Sequence, residues 1–86
     1  MTFDVFWSSR AEQELAGVWL DAADRNRISS AALEIERRLL VSPAAEGESR
    51  PHGRRILFAP PLAAVFLVDQ TAREVWVLHV WRFRTT

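Results

Sequence analysis

The C-terminal part of the chain limits the choice of folds most, because three strand-like segments follow one another there with only short connections. Each segment is rich in β-branched and aromatic residues, as strands are, and they read RRILFA, LAAVFLVD and EVWVLHVWRFR. Pro60 and Pro61 separate the first two and cannot lie inside a hydrogen-bonded ladder, while DQTAR forms a polar turn before the third. Strands joined so tightly are antiparallel. We therefore expect an antiparallel meander.

The N-terminal half predicts a first strand and a first helix. FDVFW begins at Phe3 and ends at Trp7, and its alternation places Phe3, Val5 and Trp7 on one face. Ser9, followed three residues later by Glu12, has the pattern of a capping box. Apolar residues then recur at helical spacing, which predicts an amphipathic helix with a stripe formed by Ala11, Leu15, Val18, Trp19 and Ala22.

A second helix is expected after the segment DAADRN, with Asp24 or Asn26 as its N-cap. Glu34 and Arg38 stand four residues apart and should form an outward ion pair on this helix. Its apolar stripe consists of Ile28, Ala31, Ala32, Ile35 and Leu39. Two helices joined by a tight turn form a helical hairpin.

The segment SPAAEGESRPHG, residues 42–53, has no periodicity and predicts a long surface loop, a feature that is often functional. The element order is then β-α-α-β-β-β. We predict an α+β fold in which the helical hairpin packs on one face of a mainly antiparallel four-stranded sheet, with the first strand beside the last. The length suits a single domain over residues 1–86.

Composition excludes several classes of site. The chain has no cysteine, and therefore no disulfide, thiolate nucleophile or cysteine metal site. His52 and His79 lie far apart without a carboxylate at ligand spacing, and the three glycines form no phosphate-binding pattern. We expect no metal and no cofactor. No signal peptide or membrane span is recognisable, so we expect a cytoplasmic protein without membrane contact.

Charge is divided unevenly along a chain whose net charge is zero. Residues 1–49 carry five arginines and nine acidic residues, a net charge of −4, whereas residues 50–86 carry six arginines and two acidic residues, a net charge of +4. Lysine is absent, and arginine favours planar, forked contacts with phosphate or carboxylate. The basic part holds Arg50, Arg54, Arg55, Arg73, Arg82 and Arg84. They form either a binding surface or a solvated rim with internal pairs such as that of Glu48 with Arg50.

Aromatic residues divide into two groups. Trp7, Trp19, Phe58 and Phe66 fall on inferred apolar faces and are assigned to the core. Trp81 and Phe83 alternate with Arg82 and Arg84, which suits stacking on bases or binding to another protein, or an edge strand kept soluble by its charges.

The last strand has no plainly polar face, which indicates that both faces are partly covered or that a bulge shifts the register. Trp76, Leu78, Val80 and Arg82 alternate with Val75, Val77, His79 and Trp81. His79 therefore lies on a largely apolar face, where a half-buried structural role is the commoner one.

Taken together, VFWSSRAEQEL, AALEIERRLLVSP, GRRIL, PLAAVFLVD and VWVLHVWRFR resemble, in order and spacing, the RelE/ParE superfamily of toxins from type II toxin–antitoxin modules. The resemblance runs nearly end to end. It implies a compact α+β toxin, associated with growth inhibition and plasmid stabilisation. It also implies neutralisation by a cognate antitoxin whose extended or helical segment wraps the surface, and oligomers only through the antitoxin complex.

The superfamily contains two activities. RelE-like members cleave mRNA in the ribosome, and ParE-like members poison DNA gyrase without hydrolysis. This chain matches the family arginine at Arg55, and Arg82 falls near the basic position of the last strand. Ribonuclease members often carry an arginine on the third strand and a terminal tyrosine or histidine, where this chain has Ala63 and the sequence RFR.

We therefore expect a toxin that binds its target, with a ribosome-dependent endoribonuclease as the alternative and a degenerate toxin that retains only antitoxin binding as a third reading. Arginine is always protonated and serves poorly as a general acid or base, and the chain has neither lysine nor tyrosine. The catalytic candidates for a nuclease are Arg54, Arg55, His79, Glu48 and Arg82, with His52 and Glu46 as further proton carriers. The expected contacts to target or antitoxin are Arg50, Arg55, Arg73, Trp81, Arg82, Phe83 and Arg84.

Overall fold

The computed structural model describes residues 2–84 and has two helices packed on a five-stranded sheet. The elements are β1 Asp4–Trp7, α1 Ser9–Asp21, α2 Arg25–Val41, β2 Glu48–Ser49, β3 Arg54–Ala59, β4 Leu62–Asp69 and β5 Glu74–Arg82. The strand order is β1-β5-β4-β3-β2. Among the strands of residues 2–84, only β1 and β5 pair in parallel. This confirms the predicted class, the meander and the place of the first strand beside the last.

The predicted number of four strands is wrong, because the supposed loop contains β2. Glu48 pairs with Ile56 and Ser49 with Arg55, between two short 3₁₀ turns at Pro43–Ala45 and Pro51–Gly53. A strand of two residues is too short to show a period of two, so the sequence pattern could not reveal it. The segment is consequently anchored to the edge of the sheet.

A bulge in β5 resolves the register problem of the last strand. Phe66 pairs with Val77 and Val65 with His79, which leaves Leu78 without a direct partner on β4. The extra residue moves Val80 onto the same face as Val75 and Val77, and all three are buried. Arg82, two residues further, follows Val80 onto that face.

The helices begin and pair differently from the predictions. Ser8, not Ser9, is the N-cap of α1, and its hydroxyl accepts a hydrogen bond from the Ala11 N–H at 3.1 Å. Asp24, one of the two predicted candidates, is the N-cap position of α2. Glu34 pairs with Arg37 instead of Arg38.

The core lies between the helical hairpin and one face of the sheet. The sheet contributes residues such as Leu57, Ala64 and Phe66, and α2 contributes Ile28, Ala31, Ile35 and Leu39, all at most 5% exposed. The predicted stripe of α2 is thus confirmed. No helix within residues 2–84 is long and apolar enough to span a membrane.

Two of the four aromatic residues assigned to the core are not buried. Phe66 is fully buried and Trp7 is half-buried, but Trp19 is 39% exposed and Phe58 is 46% exposed. Phe58 alternates with the buried Leu57 and Ala59, so it lies on the other side of β3. Trp19 lies near the end of α1, beside a groove between the helices.

Candidate functional site

The sheet face opposite the helices, which we call the open face, carries an array of partly exposed apolar side chains. Strand register orders them in rows. The first row crosses four strands and consists of Phe6, Trp76, Leu67 and Arg54; the second consists of His79, Val65, Ile56 and Glu48; the third consists of Trp81, Ala63 and Phe58. Five of the large apolar side chains in these rows are 37–46% exposed. Monomeric proteins seldom expose so contiguous an apolar patch without a binding role.

Aromatic contacts hold the open face in a fixed arrangement. Phe6 and Trp76 are stacked with ring centroids 4.8 Å apart and an interplanar angle of 23°. Phe58 and Phe83 make an edge contact at 5.2 Å, and the Phe83 N–H donates to the Pro61 carbonyl at 3.1 Å. Rigid aromatic side chains lose little conformational entropy on binding, which suits them as contact residues.

Arg54 and Arg55 point to opposite faces of β3, as alternation predicts. Arg54 is exposed at the end of the first row, beside Leu67. Arg55 lies on the face of Leu57 and donates its Nε–H to the Glu46 carbonyl at 2.9 Å and its Nη2–H to the Gly47 carbonyl at 3.1 Å. Arg55 therefore fastens the loop to the sheet, while Arg54 is available to a partner.

Arg82 also faces the helices. Its guanidinium contacts both carboxylate oxygens of Asp24, at 3.1 and 3.4 Å, and so joins the end of β5 to the turn between the helices. This hydrogen-bonded pair holds the pKa of Asp24 below its ordinary value of 3.8. Arg82 is thus a positioning residue in this geometry. Arg84, two residues further, is exposed.

His79 forms a pair that the sequence interpretation missed. Its Nδ1 lies 3.5 Å from Oε1 of Glu14, and the same oxygen accepts the Val80 N–H at 3.2 Å. Because β1 ends opposite Val77, α1 supplies hydrogen bonds to the remaining free edge of β5. Glu14 lies between Ala11 and Val18 on the apolar stripe of α1. A carboxylate at such a position was the one feature of the sequence that could have indicated a contact of Glu14 with the sheet.

The remaining candidates are spread over the sheet edge and its turns. Glu48 and Arg50 form an exposed ion pair at 3.0 Å, which confirms the pair expected of a solvated rim. Glu46 accepts a hydrogen bond from Arg38 Nε at 2.6 Å. His52 is exposed with a positive φ of 64°. Arg73 lies in the β4–β5 turn, at the same end of the sheet as Arg54.

The expected contact residues beside the start of β3 and those at the end of β5 lie at opposite ends of the sheet. Arg54 pairs with Leu67, whereas Arg82 pairs with Leu62 at the other end of β4. The apolar rows of the open face lie between them. His79 and Arg54 stand on strands two positions apart, a lateral separation of about 10 Å. The nuclease candidates therefore do not converge on one point within the described part of the chain.

An apolar groove runs between α1 and α2. It has a volume of about 810 Å³, and its lining includes Trp7, Leu15, Trp19, Leu20, Ile28 and Leu33. Glu12 and Glu36 also line it and give it an acidic character, although Glu36 accepts a hydrogen bond from Trp7 Nε1 at 2.9 Å. Over residues 2–84, no three side chains of the His, Cys, Asp and Glu types come together as a metal site.

Solved structures contain the same fold. One chain of the toxin–antitoxin complex RelBE2 from Mycobacterium tuberculosis is 17% identical with a TM-score of 0.77, over 96% of this chain and 100% of that one. One chain of the chromosomal ParDE toxin–antitoxin system from P. aeruginosa is 20% identical with a TM-score of 0.67, over 95% of this chain and 97% of that one. No protein-family model and no curated protein matches the sequence. This chain therefore has the RelE/ParE-like fold.

Proposed function

We propose that this chain is the toxin of a type II toxin–antitoxin system and arrests growth by binding an essential protein through its open face. The shared fold with chains of two toxin–antitoxin complexes supports the class. The sequence resemblance implies DNA gyrase as the target of such a binding toxin. The cellular setting is then the cytoplasm, where gyrase acts.

The observation that carries the proposal is the chemistry of the open face. Partly exposed aromatic and aliphatic side chains form its centre, and Arg54 lies at the end of its first row. Aromatic residues and arginine are the side chains most enriched in protein interfaces. Arg55 and Arg82, by contrast, are engaged in internal hydrogen bonds and act here as positioning residues. The contact residues are accordingly Arg54, Phe58, Trp76, Trp81, Phe83 and Arg84.

The groove between α1 and α2 is the surface that best suits a cognate antitoxin. Its apolar floor matches the apolar stripe of an amphipathic helix, a common mode of peptide recognition. Glu12 and Glu36 favour a partner with basic residues beside that stripe. The toxin would form oligomers only as part of such a complex.

Controlled expression in bacteria tests the function. We expect growth arrest in which incorporation of labelled thymidine falls before incorporation of labelled methionine, because gyrase is needed for replication. Purified protein should also inhibit DNA supercoiling by gyrase. A folded protein that causes no growth defect would contradict the proposal and support a degenerate toxin.

Antitoxin binding is tested with the reading frame adjacent to this one, if it encodes a small protein with a DNA-binding half. Its co-expression should restore growth. Leu33→Glu places a charge on the groove at a side chain that is 67% exposed, so the fold should be preserved while neutralisation is lost. Gln13→Glu, at an exposed position of α1 outside the groove lining, is the matched control and should remain neutralised.

A ribosome-dependent endoribonuclease is the second candidate, and the pair of His79 with Glu14 is the observation that favours it. A carboxylate beside Nδ1 can fix the orientation of an imidazole. Arg54, the exposed arginine of the first row, would then contact the phosphate. Mapping of mRNA 5′ ends after incubation with programmed ribosomes tests this. New ends that disappear in His79→Ala would favour the nuclease, and no new ends would exclude it.

A further inference from the structure

We propose that the pocket between the β4–β5 turn and the end of α2 binds a carboxylate carried beside a small apolar group, with Arg73 as its cationic partner. The pocket has a volume of about 390 Å³, and its lining includes Phe3, Val41, Pro43, Ala44, Ala45 and Arg73. It is separate from the groove between the helices. The proposal concerns ligand binding by the isolated chain and does not depend on the function proposed above.

Both the backbone and the side chain of Arg73 are held in place. Its carbonyl accepts a hydrogen bond from the Asp4 N–H at 2.9 Å, and its φ of 57° is unusual for a residue with a side chain. The guanidinium carbon lies 4.8 Å from the centre of the Phe3 ring. Phe3 is itself only 6% exposed and donates its N–H to the Leu40 carbonyl at 2.8 Å. The cation is therefore positioned before any ligand arrives.

Arg73 differs from the other half-buried arginines because its Nε has no acceptor among residues 2–84. Within the described chain, Arg38, Arg55 and Arg73 are the half-buried ones. Arg38 binds the Glu46 carboxylate and Arg55 binds two loop carbonyls. The Nε of Arg73 is withdrawn from solvent without an acceptor among residues 2–84. Buried polar groups normally have a partner, so this cation is short of one.

The neighbouring carboxylates do not supply that partner. Asp69 accepts the Ala72 N–H at 3.0 Å within the turn. Glu74 accepts a hydrogen bond from Trp76 Nε1 at 3.3 Å. Both are therefore engaged elsewhere. An external anion at the terminal nitrogens would neutralise the charge of Arg73, which neither of these carboxylates does.

The chemistry of the pocket selects a carboxylate with an apolar neighbour. A guanidinium binds a carboxylate through two parallel hydrogen bonds, and the terminal nitrogens are the end that a ligand can reach because Nε is covered. Val41, Pro43, Ala44 and Ala45 supply an apolar wall. Two sources share this chemistry: the C-terminus of a chain that ends in an apolar residue, and an acidic side chain next to an apolar one.

A purely structural role for Arg73 is the competing explanation. The pocket lies at the C-terminal end of α2, where partial negative charge favours a cation and disfavours an added anion. In that case Arg73 serves the helix, and no carboxylate binds. The two explanations predict opposite results in a binding titration.

The test is a titration of the purified chain, labelled with ¹⁵N, with N-acetyl-leucine, followed by NMR. We expect saturable shifts of the Arg73 Nε–H and of the Ala44 and Ala45 amides, with a dissociation constant in roughly the millimolar range for so small a ligand. N-acetyl-leucinamide, which lacks the carboxylate, should cause none. Shifts that do not saturate, or that are equal with the amide, would overturn the proposal.

Variants separate binding from folding. Arg73→Gln should weaken binding at least about tenfold, the effect of losing one charged pair, while Arg10→Gln on the exposed side of α1 should bind normally. Arg73→Lys retains the charge without the fork and is the substitute if Arg73→Gln does not fold; it should bind several-fold more weakly. Unchanged binding in a folded Arg73 variant would refute the assignment.

Two hexapeptides distinguish the two possible sources of the carboxylate, a chain terminus and an acidic side chain. One ends in leucine with a free carboxylate, and the other has an internal Glu-Leu pair and an amidated end. Tighter binding of the first identifies a chain terminus, and tighter binding of the second identifies an acidic side chain. Failure of both peptides and of N-acetyl-leucine to bind would leave Arg73 with its structural role alone.

Discussion

The helix-covered face and the open face of the sheet carry the same kinds of side chain, aromatic residues and arginines, but place them in different environments. On the covered face Phe66 is fully buried, and Arg55 and Arg82 are bound to internal acceptors. On the open face Phe58 is 46% exposed, and Arg54 is exposed. Similar side chains therefore stabilise the fold on one face and are available to a partner on the other.

Neighbouring residues on one strand can therefore serve different purposes, one stabilising the fold and the next contacting a partner. Arg54 and Arg55 are adjacent in sequence, yet only Arg55 fastens the loop. Substitutions on the covered face should change the free energy of unfolding. Substitutions on the open face should change activity with little cost to the fold.

Phe66 on the covered face and Phe58 on the open face should differ most in their contributions to the free energy of unfolding. Phe66→Ala removes a fully buried ring and should lower the free energy of unfolding by about 3–5 kcal/mol, whereas Phe58→Ala should cost about 1 kcal/mol. Urea unfolding followed by tryptophan fluorescence measures both. Phe66→Leu can replace Phe66→Ala if the latter does not fold. Equal losses for the two phenylalanines would show that the open face is covered in solution.

Gly47 and Gly17 test how firmly the loop is fastened. Gly47 has a φ of 68°, and a β-carbon there would collide with the Ile56 carbonyl oxygen, so Gly47→Ala should cost on the order of 2 kcal/mol or more. Gly17 lies in α1 with open space around it, so Gly17→Ala should stabilise by up to about 1 kcal/mol. Thermal unfolding measures both changes in stability, and the two should have opposite signs. A neutral Gly47→Ala would mean that the loop is not held against β3.

Arg55 and Arg54 provide a smaller but sharper comparison. Arg55→Ala loses two hydrogen bonds to loop carbonyls and should destabilise the chain by about 1–2 kcal/mol, while Arg54→Ala should change stability by less than about 0.5 kcal/mol. Growth arrest should show the reverse order, with Arg54→Ala the more attenuated. A stable Arg55→Ala protein that has lost toxicity would instead make Arg55 a contact residue.

The pair of Arg82 with Asp24 should have the smallest effect, and one that depends on pH. Because the pKa of Asp24 is lowered by Arg82 in the folded chain, the pair stabilises the fold above the ordinary value of 3.8. That contribution is lost as the pH falls below 3.8 through the lowered pKa. Arg82→Ala should therefore be slightly less stable than the parent at pH 7 and equal to it in strong acid. Arg84→Ala, the control, should show no such difference.

The sequence predicted the fold wherever a pattern was long enough to repeat. The meander followed from three strand-like segments and two polar or proline turns, and the stripe of α2 from about three turns of spacing. β2 escaped prediction because it has only two residues. A bulge was one of two expected reasons why β5 has no plainly polar face. The absence of a polar face does not by itself show which residue is the extra one.

The candidate site was harder to predict, because apolar residues occupy both faces of the strands. In RRILFA the alternation separates Phe58 from Leu57 correctly, but it does not tell which set the helices cover. Arg55 and Arg82 were singled out as cations, yet their partners, Glu46 with Gly47 and Asp24, are set by tertiary packing. The partner of His79, Glu14, lies 65 residues away in sequence, beyond the reach of local patterns.

The central claim is that the open face is the surface that arrests growth, and one measurement tests it most directly. Growth after induction is compared for the parent chain, for Phe58→Ser with Trp81→Ser on the open face, and for Leu20→Ser with Leu33→Ser beside the helix groove. All four side chains are at least 38% exposed, so circular dichroism should show intact folds. We expect the open-face variant to permit growth and the groove variant to arrest it like the parent. Full arrest by a folded open-face variant would show that the open face is not the surface that arrests growth.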